Sequence, residues 1–263
     1  MRWGRSLLFV VQMYAMMAVL ALYYTPLAVL DRRWANAGIR TYCRYVRWSA
    51  RWMVGLRSEV RGAVPEGEVL IASKHQSFFD IILLCSVLPR PKFIMKASLK
   101  WAPILGWFAL RIGCVPVERG RRAEAIAQMK RGVEAGRTAP GQLIIYPQGT
   151  RVAPGAHLPY KVGTGILYEQ LGQPCVPAAT NVGVFWPRHG IYRQPGLAVL
   201  EFLDAIPPGR PPAEVMADLE HRVETRSNAL MREAGFAGAL PEPPAPDALV
   251  ARRRRESRPD GSR

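Results

Sequence analysis

The segment SKHQSFFD at residues 73–80 places a histidine and an aspartate five positions apart, at His75 and Asp80. An imidazole held by a carboxylate can act as a general base, because the carboxylate fixes the ring tautomer and stabilises the imidazolium that forms. On a regular helix, positions five apart differ by about 140°, so the two side chains meet only if His75 stands in the turn before the helix. The sequence therefore predicts a base at His75 oriented by Asp80, although such a pair also arises by chance.

Two arginines follow other short apolar runs. Arg119 comes after CVPVE at 114–118, and Arg151 ends the segment YPQGTR at 146–151. A guanidinium binds phosphate through two parallel hydrogen bonds, and a turn at Gly149 lets backbone N–H groups approach the same oxygens. Either arginine alone would more often form a surface ion pair. Their grouping with His75 favours a site that combines a general base with phosphate binding.

Several reaction classes lack their usual motifs in this sequence. It contains no G-x-S-x-G, no H-E-x-x-H and no G-x-x-x-x-G-K-[ST], which are typical of serine hydrolases, zinc proteases and P-loop nucleotide hydrolases. The G-x-G formed by Gly163 and Gly165 favours the start of a helix over a dinucleotide site. The four cysteines form no C-x-x-C pair, which argues against a disulfide scaffold and a structural zinc site. We therefore expect no bound metal and no cofactor.

The elements that would position these residues alternate along the chain. Short β-like runs occupy 69–73, 92–95, 114–118, 142–146, 175–180 and 197–203, and helix-like segments occupy 81–88, 123–135, 165–171 and 213–234. This alternation predicts an α/β domain with a mixed, mostly parallel sheet flanked by helices. His75, Arg119 and Arg151 each follow a β-like run, and ligand sites in such folds gather at the strand ends.

The first helix predicted at the N-terminus is long enough for a membrane. Residues 6–30 carry no charge and would extend roughly 37 Å as a helix, enough to cross the hydrocarbon core of a bilayer. A secretory signal peptide is the weaker interpretation, because its apolar region usually covers only about 7–15 residues. Pro26 marks the predicted bend into the next segment, and the sequence leaves open whether the first helix spans the membrane or re-enters it.

The second N-terminal segment, residues 34–56, is amphipathic at helical spacing. One face carries aromatic and aliphatic residues, and the other carries Arg40, Arg44, Arg47 and Arg51. Such a helix is typical of the membrane interface, where arginines pair with lipid phosphates. A packed helix with a solvated basic face would show the same pattern.

The charge balance favours contact with an anionic surface. The 263 residues are 49% hydrophobic, and 36 basic against 20 acidic residues give a formal net charge of +16. Residues 32–61 hold eight arginines, so the positive-inside rule places the domain that follows on the cytoplasmic side. The sequence thus divides into membrane-anchoring helices at 1–56, an α/β domain at 57–236 and a basic tail at 237–263 that we predict to be disordered.

Four sequence blocks between about residues 70 and 180 resemble the 1-acylglycerol-3-phosphate acyltransferases of the glycerolipid acyltransferase superfamily. KHQSFFD resembles the His-x₄-Asp block, YPQGTR resembles Phe-Pro-Glu-Gly-Thr-Arg, and CVPAA at 175–179 resembles the fourth block. The second block is matched by GCVPVER together with Lys96, Leu99, Pro103 and Gly106. The N-terminal segments are similar to the two-helix membrane motif of bacterial members.

The resemblance implies roles for individual residues. His75 and Asp80 would be the base and its orienting partner. Residues that would bind the phosphate or the acceptor are Arg119, Gln148, Gly149, Thr150 and Arg151, and Val176 and Pro177 would lie near the acyl donor. Gln148 departs from the family, which usually has Glu there, and the amide loses the negative charge. Tyr146 in place of Phe is a smaller change.

The activity implied by the resemblance is acyl transfer from acyl-CoA or acyl carrier protein to the sn-2 hydroxyl of lysophosphatidic acid, giving phosphatidic acid. Lys96 is a candidate for stabilising the oxyanion or binding donor phosphates. The expected location is a bacterial-type inner membrane, with the catalytic domain on its cytoplasmic face.

Two other functions stay open from the sequence. One is acyl transfer to another acceptor, such as glycerol 3-phosphate or a lyso-aminolipid, since the motifs specify the transfer better than the acceptor. The other is a non-catalytic binder of anionic lipids, which would be indifferent to His75→Ala. No recognisable nucleic-acid-binding module is present, so we expect no nucleic-acid partner.

Overall fold

The computed structural model describes residues 2–118 and 141–257, together with positions 124, 127 and 131 between them. We number the helices and strands of the described residues in chain order. The helices are α1 (Arg2–Leu30), α2 (Arg32–Val54), α3 (Phe78–Val87), α4 (Leu105–Arg111), α5 (Gly163–Leu171), α6 (Pro212–Glu233) and α7 (Pro246–Ser257). The strands are β1 (Leu56–Arg61), β2 (Val69–Ser73), β3 (Pro91–Lys96), β4 (Val115–Val117), β5 (Gln142–Ile145), β6 (Cys175–Thr180) and β7 (Gly196–Phe202).

The seven strands form one sheet in the order β1-β7-β6-β2-β5-β3-β4. Every neighbouring pair is parallel except β6 and β7, which are antiparallel. The predicted mixed, mostly parallel α/β fold is therefore confirmed. The carboxyl ends of β2, β5 and β6 lie side by side at the centre of the sheet, where the chain continues into the candidate site residues.

The sheet is covered on both faces because side chains alternate along each strand. Ile71 of β2 belongs to one apolar cluster with residues of α1, α2, α3 and α4. Its neighbours Leu70 and Ala72 belong to a second cluster, with residues of α5 and α6. The two clusters make the sheet the middle layer of the domain.

Strand β1 was not predicted from the sequence. Its sequence LRSEVR alternates weakly and contains three charged residues, because β1 is an edge strand that pairs only with β7 among the described residues. Only Leu56 of this strand is buried. All six β-like runs predicted from the sequence correspond to strands. The helix predicted for 123–135 falls outside the two described ranges.

Helices α1 and α2 form a hairpin whose bend lies at Asp31, not at Pro26 as predicted. Pro26 lies inside α1, whereas Asp31 has extended backbone angles and caps α2 by accepting a hydrogen bond from Arg33 N. An aspartate at this position satisfies an otherwise unpaired N–H of the new helix, so it is the physical start signal. Of the described helices, α1 is the one long and apolar enough to cross a membrane.

The interpretation of the arginine face as lipid-facing is wrong for two of its four members. Arg47 donates hydrogen bonds to the hydroxyls of Ser58 and Ser86, and Arg40 donates to the carbonyls of Leu88 and Pro89. This face of α2 packs against α3 and β1, where unpaired carbonyl and hydroxyl oxygens need donors. Arg44 and Arg51 remain exposed.

The C-terminal segment also differs from the expectation of disorder. Residues 246–257 form α7, whose Leu249 is buried. The preceding coil is fixed by hydrogen bonds from Asn228 Nδ2 to Pro241 O and between His221 Nδ1 and Pro244 O. The sequence pattern hid this packing because a short segment with one buried apolar contact has almost no periodicity.

Candidate active site

His75 and Asp80 are in contact at the carboxyl end of β2. The strand ends at Ser73, and α3 begins at Phe78, so His75 lies in the turn before the helix as the spacing required. The distances from His75 Nδ1 to the two carboxylate oxygens of Asp80 are 2.9 and 3.1 Å. The ring keeps 12% of its side chain exposed while Asp80 is fully buried. No hydrogen bond to His75 Nε2 occurs within the described part of the chain, so that nitrogen is left for a substrate.

The start of α3 fixes the Asp80 carboxylate. Ser77 caps the helix by accepting from Phe79 N, and Asp80 closes the capping box by accepting from Ser77 N at 2.9 Å. The same oxygen, Oδ2, also accepts from Gln76 N at 2.9 Å. Two backbone donors thus hold Oδ2, which leaves Oδ1 to face the imidazole.

Tyr146 completes the surroundings of the base. Its ring stacks on His75 with centroids 3.8 Å apart and planes inclined by 14°. Its hydroxyl donates to Asp80 Oδ1 at 3.2 Å. Burial first, and then the neighbouring Asp80 charge, raise the pKa of Tyr146 well above 10, so the phenol is neutral and remains a donor. The sequence motif identified Tyr146 only as a substitute for Phe and gave no signal for this hydrogen bond.

The YPQGTR turn lies directly beside the base. Val152 N donates to the carbonyl of His75 at 2.8 Å, which ties the end of the turn to the His75 backbone. Gly149 has φ +71°, and a Cβ there would meet Lys161 Nζ at 2.8 Å. Glycine is favoured at this position because the backbone is left-handed, and the amine of Lys161 lies close over it. Lys161, which the sequence analysis did not single out, therefore adds a cation to the turn.

Arg151 is paired with a second arginine that the sequence analysis missed. Arg151 Nη1 donates to the carbonyl of Arg188, and Arg188 Nη1 donates to the carbonyl of Arg151, both at 3.2 Å. Among the described residues, neither forms a salt bridge with a carboxylate. Two neighbouring arginines that form no salt bridge within the described ranges suit an anion. A signal for Arg188 was available, since WPR follows β6 by a few residues.

Gln148 does not face the open edge of the sheet. Its side chain is buried, and Nε2 donates to Leu158 O at 3.2 Å and to Glu224 Oε1 at 3.5 Å. The expected contact of its side chain with the acceptor is therefore corrected: the amide belongs to an internal polar cluster. The bend at the left-handed Gly149 turns the Gln148 side chain inward and leaves Thr150 and Arg151 partly exposed.

The remaining predicted site residues are less close to the base. Lys96 is exposed at the carboxyl end of β3. Val176 and Pro177 lie within β6 opposite Ile71 and Ala72 of β2, buried in the sheet. The structure does not bring these two to the open edge, because β6 continues to Thr180 before the chain turns. Arg119 lies outside the described residues.

The chain is similar to known acyltransferases in sequence and in fold. A family model described as Acyltransferase matches residues 57–181. The 1-acyl-sn-glycerol-3-phosphate acyltransferase of Pseudomonas aeruginosa is 27% identical over 74% of this chain and 77% of its own length, and that of Saccharomyces cerevisiae is 26% identical over 75% and 67%. The crystal structure of the 1-acyl-sn-glycerophosphate acyltransferase of Thermotoga maritima is 20% identical and matches 91% of this chain and all of its own with a TM-score of 0.71, which establishes the common fold. Residues 57–181 of this chain are therefore similar to the domain that the Acyltransferase family model describes.

Proposed function

We propose that this protein transfers an acyl group from acyl-CoA or acyl carrier protein to the sn-2 hydroxyl of lysophosphatidic acid, forming phosphatidic acid for phospholipid biosynthesis. The observation that carries the proposal is the His75–Asp80 contact beside a turn that ends in Arg151. One element moves a proton and the other binds a phosphate, which are the two tasks that this acceptor requires. The names of the relatives from Pseudomonas aeruginosa and Saccharomyces cerevisiae support this choice of acceptor.

In this mechanism the base works through Nε2 of His75. Nε2 takes the proton of the acceptor hydroxyl as the hydroxyl oxygen attacks the thioester carbonyl carbon. The carbonyl electrons move onto oxygen, then return as the carbon–sulfur bond breaks, and the leaving thiolate takes the proton from the imidazolium. Asp80 stabilises the imidazolium through Nδ1. The thioester supplies the activated acyl group, so the reaction needs neither a metal nor a cofactor, and no acyl-enzyme forms.

Cations around the base would hold the two substrates. The phosphate of the acceptor is assigned to Arg151, with Thr150 and the Gly149 backbone beside it, and Arg119 remains an expected second ligand. Lys161 and Arg188 lie at the same turn and strengthen the local positive potential. Lys96, at the end of the second strand from β2, is assigned to the oxyanion or to donor phosphates.

The apolar surface of α1 explains how the protein reaches lipid substrates. One stripe of α1 packs against the domain at both ends, where Phe9 stacks edge-on with Trp186 and Arg111 donates to the carbonyls of Ala28 and Val29. The opposite stripe exposes large apolar side chains, among them Leu8, Val11, Tyr14, Val19 and Leu22. A helix attached to the domain at both ends would lie in one leaflet with the domain beside it, in preference to crossing the membrane alone.

The location follows from the donor. Acyl-CoA and acyl carrier protein are cytoplasmic, and the exposed Arg44 and Arg51 can bind anionic headgroups on that side. We therefore propose a bacterial-type inner membrane with the domain at its cytoplasmic face. A reporter fused to the C-terminus should be active in the cytoplasm, and activity found only in the periplasm would contradict this orientation.

The test is acyl transfer by the purified, detergent-solubilised protein. Labelled oleoyl-CoA and lysophosphatidic acid should give phosphatidic acid with the wild type, and His75→Ala should lower the rate about 10²–10⁴-fold. Glycerol 3-phosphate, a lyso-aminolipid and an acyl carrier protein donor are run in parallel. Transfer to another acceptor in preference would replace lysophosphatidic acid, and equal lipid binding by both proteins without turnover of any pair would favour a non-catalytic lipid binder.

A further inference from the structure

A buried ion pair lies directly behind the catalytic turn. Lys74, the residue before His75, is 1% exposed, and its Nζ is 2.5 Å from Oε2 of Glu224 on α6. Glu224 is also buried, and the two residues are 150 positions apart in the sequence. Removing two charges from water is unfavourable unless hydrogen bonds and geometry compensate, so breaking such a pair by changing one partner disturbs the structure around it.

Glu224 connects the pair to the segment that carries the YPQGTR turn. Its second oxygen, Oε1, accepts from the Tyr160 hydroxyl at 3.0 Å and, at the longer distance of 3.5 Å, from Gln148 Nε2. On the other side, Lys74 N donates to Ala178 O of β6 at 2.9 Å. One carboxylate of α6 thus contacts the residue before the base and the residue before Gly149.

Position 148 is the place where a second carboxylate would compete with Glu224. Gln148 Oε1 is buried and has no hydrogen-bond partner among the described residues, while its amide nitrogen faces Glu224. A glutamate at 148, as in the family that the sequence resembles, would put two carboxylates against each other, and one of them would have to take a proton. Gln at 148 and Glu at 224 are therefore matched: the cluster has room for one negative charge opposite Lys74.

We propose that Lys74 and Glu224 are positioning residues for the acyl transfer, and that Glu224 supplies from α6 the negative charge that a glutamate at position 148 would otherwise supply. The proposal rests on the function proposed above. The ion pair holds the Lys74 backbone, and with it the His75 turn, in a fixed relation to the YPQGTR turn. A small displacement of a base relative to a bound substrate lowers the rate without a matching loss of binding.

The experiment compares Glu224→Gln, Gln148→Glu and the double variant in the oleoyl-CoA assay. Glu224→Gln should lower kcat about 10–100-fold with KM for both substrates within about threefold. Gln148→Glu alone should also lower kcat, because two carboxylates then share one site. The double variant should recover at least about half of the wild-type kcat, since the charge has only moved across a gap of 3.5 Å.

Glu220→Gln is the matched control. Glu220 lies one turn earlier on α6, is fully buried and contacts His157 Nε2 at 3.1 Å, so its loss should lower Tm without changing kcat. If Glu224→Gln does not fold, the double variant Lys74→Met/Glu224→Gln replaces it, because it leaves no unpaired buried charge. We expect this double variant to fold and its kcat to be at least about tenfold lower than that of the wild type. Unchanged kcat in a folded Glu224→Gln or Lys74→Met/Glu224→Gln protein, or no recovery in the Gln148→Glu double variant, would overturn the positioning role. A wild type inactive on lysophosphatidic acid would instead refute the proposed function.

Discussion

Replacing Asp80 by asparagine should reverse the tautomer of His75. Oδ2 of Asp80 accepts two backbone N–H groups, from Gln76 and Ser77, so the amide oxygen of an asparagine is held at that position. The amide NH₂ then takes the place of Oδ1, 2.9 Å from His75 Nδ1, and donates to it. The ring proton is driven to Nε2, which can no longer accept the proton of the acceptor hydroxyl.

Two contributions set the size of the effect. The first is the orientation of the asparagine amide. The flipped orientation would leave the two backbone N–H donors facing an NH₂ group, at a cost of about 1–3 kcal/mol for each unsatisfied group, so the NH₂ stays opposite His75. The charge that stabilises the imidazolium is also lost, worth about 4 kcal/mol for centres about 4 Å apart at an effective dielectric constant of 20. Since about 1.4 kcal/mol is a factor of ten, kcat should fall roughly 10³-fold, with KM little changed.

The assay is the initial rate of phosphatidic acid formation by Asp80→Asn and the wild type. Ser77→Ala is the matched control, because it removes the other half of the capping box without changing the His75 contact. It should lower the free energy of unfolding by about 1 kcal/mol and leave kcat within about threefold. An Asp80→Asn protein that folds and keeps more than a tenth of the wild-type kcat would refute the role of Asp80 as the partner that fixes the tautomer.

Two further substitutions test the surroundings of the site, and a third tests a buried lysine near the start of β3. Tyr146→Phe should keep kcat within about tenfold, because Asp80 retains its two backbone donors and His75; a larger loss would make the phenol part of the mechanism. Arg188→Ala should raise KM for lysophosphatidic acid about tenfold, the value of one charge-assisted hydrogen bond at an exposed site, and an effect on acyl-CoA alone would assign Arg188 to the donor. Burial, and next the nearby Arg32, lower the pKa of Lys92 from 10.5 to about 8. Lys92 therefore loses its proton at a lower pH in the folded state than in the unfolded state, so wild-type stability should rise from pH 8 to 10.5. Lys92→Met should raise Tm at pH 7, and the difference in Tm between variant and wild type should shrink as the pH rises over that range. A difference in Tm that does not change with pH would contradict burial of the charged amine as its cause.

The sequence predicted the parts of this molecule that are encoded locally. Six strands were visible because their apolar runs are short and bounded by turn residues, and the end of α5 at Leu171 was visible because Gly172 follows it in a left-handed conformation. The His75–Asp80 contact was predictable for the same reason, since the turn and the capping box within the six residues 75–80 determine it. Nothing distant is needed to form that pair.

The parts that could not be predicted depend on contacts between distant segments. Glu224 gives no local signal for its pairing with Lys74, because on α6 it occupies an ordinary position in an amphipathic helix. Arg40 and Arg47 were placed at lipid because helical periodicity identifies a charged face but not what covers it. The role of Tyr146 depends on Asp80, which is 66 positions away.

The order of the strands explains why the base and the cations converge. β2 lies between β6 and β5 in a parallel arrangement, so the segments that follow these three strands leave the same edge of the sheet side by side. His75 follows the central strand, Arg151 follows β5, and Arg188 follows β6 and meets Arg151 through reciprocal hydrogen bonds. The antiparallel β7 comes next to β6 and contributes no carboxyl end to this edge. The proposed base therefore follows the central strand of the three, and the arginines proposed to bind phosphate follow the two flanking strands.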